Sequence, residues 1–244
     1  NIMEEGKRKN LQHPKWSFSR RRLFLISLFL VLIISGMGFV YFQSNVRSAR
    51  LKTEDHLKVI EELKVAEIRD WVIERKADIR SIAQTHIFQN AVEKFVDQSD
   101  SYFGELLYEK LSIIQEQFNY EDVFIVRSDG EVVLSTEKGL KNMESQILDL
   151  LQTAESGGTV LLSDFYECTI HHEIHLDIIA PFFAGDNGFI LVFRIDPERS
   201  FYPKIQTWPS PSETAETLII RKDGDDALFL NELRHKKNTA LKLR

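Results

Sequence analysis

Leu23 to Phe42, LFLISLFLVLIISGMGFVYF, runs for twenty residues without a charge. As a helix it would be about 30 Å long, which matches the hydrocarbon core of a bilayer. Arg20, Arg21 and Arg22 stand at its N-terminal edge, so the excess of positive charge places residues 1–22 in the cytoplasm and the following chain outside. A cleaved signal peptide is the competing reading. Its apolar core would span only about 7 to 15 residues and end in a small-x-small site, whereas QSNVRSAR after Phe42 offers none. The expectation is an uncleaved membrane anchor, in contact with lipid over residues 23–42.

The charge balance divides at the same place. Residues 1–22 hold seven Lys and Arg against Glu4 and Glu5, which leaves residues 43–244 with 24 basic and 35 acidic side chains. An acidic outer segment repels phosphate, so nucleic acid is not an expected partner. The single Cys168 excludes an internal disulfide and a multi-cysteine zinc site. The chain starts with Asn and is read as a fragment of a longer protein.

No Gly or Pro occurs between Gly38 and Gly104. Ile60, Leu63, Ile68, Trp71, Val72, Ile79, Ile82 and Ala83 recur mostly three or four residues apart among charged residues, the pattern of an amphipathic helix. One long helix is expected over residues 43–101, either as a coiled-coil stalk or packed by one stripe on a sheet. Further helices are expected over about 102–117 and 143–154.

Two short phrases match. FIVRSDGEVVL (124–134) and LIIRKDGDDAL (218–228) share an apolar run, an Arg, a spacer, Asp-Gly and an acid. Asp-Gly between apolar runs predicts a two-residue hairpin turn. The repetition predicts two related α+β modules in tandem, over 102–206 and from 207 onward, the second incomplete at residue 244. Arg127 and Arg221 are expected to serve their own hairpins. TWPSPS (207–212) is the linker between the modules.

Strands are expected over 159–167, 173–183 and 188–196, giving a five-stranded antiparallel sheet with helices on one side. With Asp186-Asn187 as the loop, Leu176, Ile178, Ala180 and Phe182 share an apolar face with Phe189, Leu191, Phe193 and Ile195. That face belongs on the long helix. The other face carries His175, Asp177, Phe183 and Arg194, with Asp177 and Arg194 as diagonal neighbours. A small-ligand pocket is expected there, with Asp177, Arg194, His175, Tyr166 and Phe183 as candidate binding residues.

HHEIH (171–175) is not the metalloprotease His-Glu-x-x-His. On a strand, His171, Glu173 and His175 would share a face with Asp177, a conceivable metal site, but a solvated strand end is the simpler reading and no metal is assigned. Trp71 and Trp208 read as packing anchors. No Ser-His-Asp set, phosphate loop or nucleotide fingerprint is present, so neither a catalytic site nor a cofactor is expected.

An anchor, a long outer helix and two tandem PAS-like modules resemble the double Cache sensor domains of bacterial transmembrane receptors. WVIERKADIRSIA (71–83), IHLDIIAPFF (174–183) and RIDPERSFYPKIQTWPSPSETAETLIIRKDGDDALFLNELRHKKNTALKLR (194–244) carry the resemblance most closely, over about residues 45–244. It implies ligand sensing in the membrane-distal module, relay through the proximal one, and a dimeric receptor whose output is a histidine kinase or a diguanylate cyclase. One subgroup of that family recognises amino acids through Arg-x-Trp-Tyr and a later Asp. This chain has no Arg-x-Trp-Tyr, and Glu167 or Cys168 in DFYECT falls near the place of the Asp. An anchored protein-interaction module and an extracytoplasmic enzyme are the alternatives.

Overall fold

The computed structural model describes residues 20–98, 100–137, 139–169, 172–209 and 214–244. The chain divides into two units, 1–59 and 60–244. Of the basic tail only Arg20–Arg22 is described. The linker's Ser210 to Ser212 and the cluster's His171 also lie outside the described residues.

Helix α1 covers Arg20–Ala83. Its part in the first unit is exposed throughout, and among the described residues it is the one helix long and apolar enough to cross a membrane. Its remainder belongs to the second unit. There Ile60, Lys64, Trp71, Ile79 and Ala83 are buried, while Leu63, expected in the stripe, faces solvent. Lys64 replaces it: its stem is buried, and Nζ donates to Glu67 Oε2 at 2.7 Å and to the Lys204 carbonyl at 2.9 Å.

The expected single helix to residue 101 is two helices. α1 stops at Ala83, and α2 covers His86–Gln98. No Gly or Pro marks the break. Thr85 is bonded tightly to the carbonyls of Ser81 and Ile82, and the Gln89 side chain caps the Ala83 carbonyl at 2.9 Å. The turn brings Phe88 onto Phe182, with ring centroids 5.3 Å apart. Burial of Phe88, Ala91 and Val92 thus outweighs helix continuity. Helix α3, Ser101–Phe118, starts at Asp100, whose carboxylate accepts from Tyr102 N, and ends at left-handed Asn119.

Strands β1 (Asp122–Val126), β2 (Val132–Ser135), β3 (Leu161–Leu162), β4 (Tyr166–Glu167), β5 (Ile174–Ala184) and β6 (Asn187–Ile195) form an antiparallel sheet. The order is β2-β1-β6-β5-β3, and β4 also pairs with β5. The β5–β6 loop is Gly185-Asp186, not Asp186-Asn187, with Gly185 at φ +60°. The register therefore differs from expectation by two residues. Two is the period of a strand, so each side chain keeps its face.

Ile178, Phe182, Leu191 and Phe193 are buried against α1, α2 and α3, in a core that includes Trp71, Ile79, Phe88 and Leu111. Helices were expected on one side only. Instead α4, Ser145–Gly157, covers the opposite face, where Met143, Ile147, Leu151 and Ala154 pack on Phe124, Val126, Ile179, Ile190 and Val192.

The matching Asp-Gly phrases make different turns. At Asp129-Gly130 the loop is three residues: Arg127 N donates to the Glu131 carbonyl, and only Gly130, at φ +90°, has a positive φ. The second hairpin, β7 (Ile220–Asp223) with β8 (Asp226–Phe229), turns on Gly224-Asp225 and forms its own two-stranded sheet. Short helices α5 (Pro197–Ser200) and α6 (Tyr202–Gln206) precede it. Residues 230–244 fold back on the hairpin, with Phe229 N bonded to the Leu243 carbonyl and Leu241 N to the Phe229 carbonyl.

Truncation of Phe193, fully buried and 4.5 Å in ring-centroid distance from Tyr120, is expected to cost about 3–5 kcal/mol. Phe183→Ala, at an exposed site, should stay within about 0.5 kcal/mol. Urea unfolding of the full chain in detergent, followed by near-UV circular dichroism, measures both; equal losses would contradict this packing.

Candidate functional site

The face of the sheet under α4 turns polar at one end. Asp177 of β5 and Arg194 of β6 are direct partners in the register, both buried. Arg194 Nε donates to Asp177 Oδ1 at 3.3 Å. Tyr166 of β4 completes the cluster: its hydroxyl donates to Asp177 Oδ2 at 2.5 Å and accepts from Arg194 Nη2 at 2.9 Å. The guanidinium also lies over the Phe124 ring, 4.9 Å from its centroid. Burial alone would depress the Arg194 pKa, but the charge of Asp177 and the neighbouring Tyr166 and Glu144 hold it raised. The Tyr166 pKa is raised first by burial and then by Asp177. The cluster is thus a cation held by a carboxylate and a neutral phenol.

Ser163, between β3 and β4, ties the next layer to it. Its backbone N donates to the Asp177 carbonyl, and its Oγ accepts from Asp177 N, both at 2.8 Å. Above Ser163 and Tyr166 lies a cleft of about 310 Å³, walled by Gln146, Ile147, Asp149, Leu150 and Thr153 of α4 and by Asp164. That is the lower end of small-ligand pocket volumes. Asp164 is offset by Arg221, which leaves the Asp149 carboxylate at the cleft and a guanidinium already paired beneath it, a setting that suits a neutral or cationic guest better than an anion. Glu144, at the N-cap of α4, is buried, and neither carboxylate oxygen has a hydrogen-bond partner.

The structure brings together three of the five expected residues, Tyr166, Asp177 and Arg194. His175 stands next to them, its ring edge-on to Tyr166 at 5.8 Å. Phe183 is not part of the group: it is 65 % exposed, and six residues along β5 put it about 20 Å from Asp177. Sequence reasoning missed Glu144, Ser163 and also Glu121, whose Oε2 lies 2.8 Å from His175 Nδ1. Glu144 reads as an ordinary acid at a helix start, and nothing in its spacing points to the sheet. The two matched arginines also part ways. Arg127 pairs with Glu131 of its own hairpin at 3.0 Å, as expected. Arg221 reaches out of its hairpin to Asp164 beside the cleft.

A second and larger cleft, about 680 Å³, lies between Tyr202, Gln206 and Trp208 on one side and Glu216, Glu232 and Arg234 on the other. Trp208 is half-buried there, whereas Trp71 packs on Phe201 with ring centroids 5.0 Å apart. The buried polar side chains beside this cleft, Asn231 and Thr239, are neutral and bond to Thr217 and Glu232; among the described residues no buried ion pair like Asp177–Arg194 adjoins it.

Arg194→Met leaves the Asp177 carboxylate buried without its cation and is expected to cost about 3–5 kcal/mol, whereas the Asp177→Leu/Arg194→Met pair should recover most of that loss. A double-mutant cycle in urea measures the coupling; additive losses would refute it. Asp122, at the start of β1, has a pKa pushed up from 3.8 to about 6, first by burial and then by Glu137 and Glu121. The folded state therefore favours the protonated acid. Its contribution is fully present below about pH 4 and is lost as pH rises through 6. Asp122→Asn should raise the melting temperature above pH 6 and leave it unchanged near pH 4, as read in a pH series of thermal melts.

No family model matches the chain, and no curated protein matches it by sequence. Solved structures do. The sensor domain of the Vibrio cholerae histidine kinase DctB superimposes with a TM-score of 0.50 at 12% identity, over 63% of this chain and 59% of that one. The ligand-binding domain of the Pseudomonas aeruginosa PAO1 amino-acid chemoreceptor PctC, in complex with GABA, gives 0.52 at 15% identity, over 78% and 80%. The chain thus spans about three-fifths of the DctB domain's length. At such identities the likeness is one of fold: this chain shares the α+β architecture of these two domains.

Proposed function

We propose that the chain is the sensor region of a bacterial transmembrane receptor, which binds a small molecule in the cleft between α4 and the Ser163–Tyr166 segment. One observation carries this reading: Ser163 and Tyr166 line the cleft and also bond directly to the buried Asp177–Arg194 pair. A guest there touches residues wired into the sheet. In this reading the N-terminus is cytoplasmic, residues 23–42 cross the inner membrane, and residues 43–244 are extracytoplasmic, with residues 102–206 as the distal sensing module and 207–244 as the start of the proximal one.

The chemistry of the walls favours a guest with an amino group. Asp149 supplies negative charge, that of Asp164 being offset by Arg221, Gln146 and Thr153 supply neutral polar groups, and Ile147 and Leu150 contact a short apolar body. GABA in the PctC structure is a guest of this kind in a similar fold. Relay is assigned to α1, whose residues belong to both units. The signal needs only a difference in guest affinity between two states, and a few kcal/mol suffices. Exposed Val46, Leu51 and Leu57 on α1 support a homodimer. The parent receptor in this reading is a histidine kinase, as DctB is.

A thermal-shift screen of the full chain in detergent tests this, using GABA, other amines and the natural amino acids. At least one compound is expected to raise the melting temperature, and the shift should shrink strongly in Asp149→Asn and Tyr166→Phe. A shift unchanged in both variants would place the guest elsewhere. No shift from any compound would favour a protein-interaction module instead.

A further inference from the structure

Next to the Tyr166–Asp177–Arg194 cluster the structure brings together three donors, two of them neighbours in sequence and one from about fifty residues earlier. They are His175, Glu173 just before β5, and Glu121 just before β1. The candidate ligand atoms all lie within 4.8 Å of one another. Glu121 is fixed by its backbone, whose N–H donates to the Arg194 carbonyl at 2.9 Å. His175 is fixed by its register opposite Tyr166. Glu173 is held through its carbonyl, which accepts from Cys168 N at 2.7 Å. The three donors therefore sit on paired backbone, as a preorganised site requires.

The second observation concerns His175 alone. Its side chain is 1% exposed, yet neither ring nitrogen makes a hydrogen bond. Nδ1 approaches Glu121 Oε2 at 2.8 Å but outside hydrogen-bond direction, and that carboxylate oxygen is itself buried without a hydrogen bond. A dry imidazole with both nitrogens idle is rare, because each unmet polar group costs about 1–3 kcal/mol. A simple ion pair with Glu121 leaves Nε2 unserved and gives no reason for Glu173 to converge on the same point.

We propose that Glu121, Glu173 and His175 bind a divalent first-row transition cation, with zinc as the natural probe. One imidazole nitrogen and two carboxylates form a three-ligand set of the kind zinc accepts, with a further position left for water or a guest. Two negative charges offset the cation. The sequence pointed to His171, Glu173 and His175. His171 lies outside the described residues; among those described the third donor is Glu121, whose position 54 residues before His175 no local pattern reveals.

The site would clamp the starts of β1 and β5 beside Tyr166, so the cation would stiffen the polar end of the sheet. The test is zinc titration of the untagged full chain in detergent, in competition with a chromophoric chelator. Binding of one zinc per chain is expected. Glu173→Gln, at an exposed position, should weaken it by at least roughly tenfold without changing the metal-free melting temperature, and Glu121→Gln should weaken it likewise. Cobalt substitution should give visible d–d absorption that disappears in both variants. Absence of stoichiometric zinc, or undiminished binding in both variants, overturns the proposal. Neither result bears on the amine guest, which is read separately in the thermal-shift screen.

Discussion

The β5–β6 hairpin is the element to which every other part of the second unit attaches. It is buried on both faces, and alternation along it assigns one face to α1, α2 and α3 and the other to α4. Nine residues of continuous antiparallel pairing, Leu176 to Ala184 against Asn187 to Ile195, hold that assignment. A slip of either strand by one residue would exchange its faces and turn Asp177 or Arg194 toward Trp71, Ile79 and Leu111. The cost of unpaired charge in that core excludes the slip.

The Asp177–Arg194 pair has a second consequence. A buried ion pair contributes little net stability compared with apolar side chains of the same volume. Its presence at one end of an otherwise apolar face is a local departure from what packing alone would choose, and such departures mark functional sites. The surroundings agree. Phe124 covers the guanidinium on one side, but Tyr166 and Ser163 bond to the pair and are also the floor of a cleft. Glu144 and His175 add two more buried polar side chains with unmet hydrogen bonds nearby. The polar end of this sheet holds more unsatisfied polar chemistry than stability requires.

What could be read from the sequence follows the physics of periodicity. Face assignment on β5 and β6 survived a wrong loop, because the error was one full pleat. The apolar span, the stripe through Trp71 and Ile79, and the nearness of Asp177 to Arg194 were legible for the same reason: each depends on a spacing within one element. The misses depend on chain-distant packing. The break after Ala83 is set by the burial of Phe88, not by a helix breaker. Asp-Gly at 129–130 and at 223–224 gave two different turns, because the partner strand and the tertiary contacts chose the loop length. Glu121 and Glu144 join the polar end only through the topology β1-β6-β5 and the placement of α4.

The Ser163–Glu167 segment then takes on a definite role. Inward, Ser163 and Tyr166 bond to the buried pair. Sideways, Phe165 stacks on Tyr202 and tilts against Phe201, at 6.0 and 5.6 Å. Outward, Asp164 pairs with Arg221, and Glu167 lies 3.5 Å from Lys242. Exposed ion pairs contribute only about 0–1 kcal/mol each, so the two outward pairs orient more than they hold. The aromatic contacts supply the stiffness, and Tyr202 carries it on by donating to the Leu230 carbonyl. A displacement of this short segment by a guest in the cleft would therefore reach both the sheet and the C-terminal hairpin. The repeated phrase ends up asymmetric for that reason: Arg127 closes its own turn, while Arg221 is spent on the segment that the cleft would move.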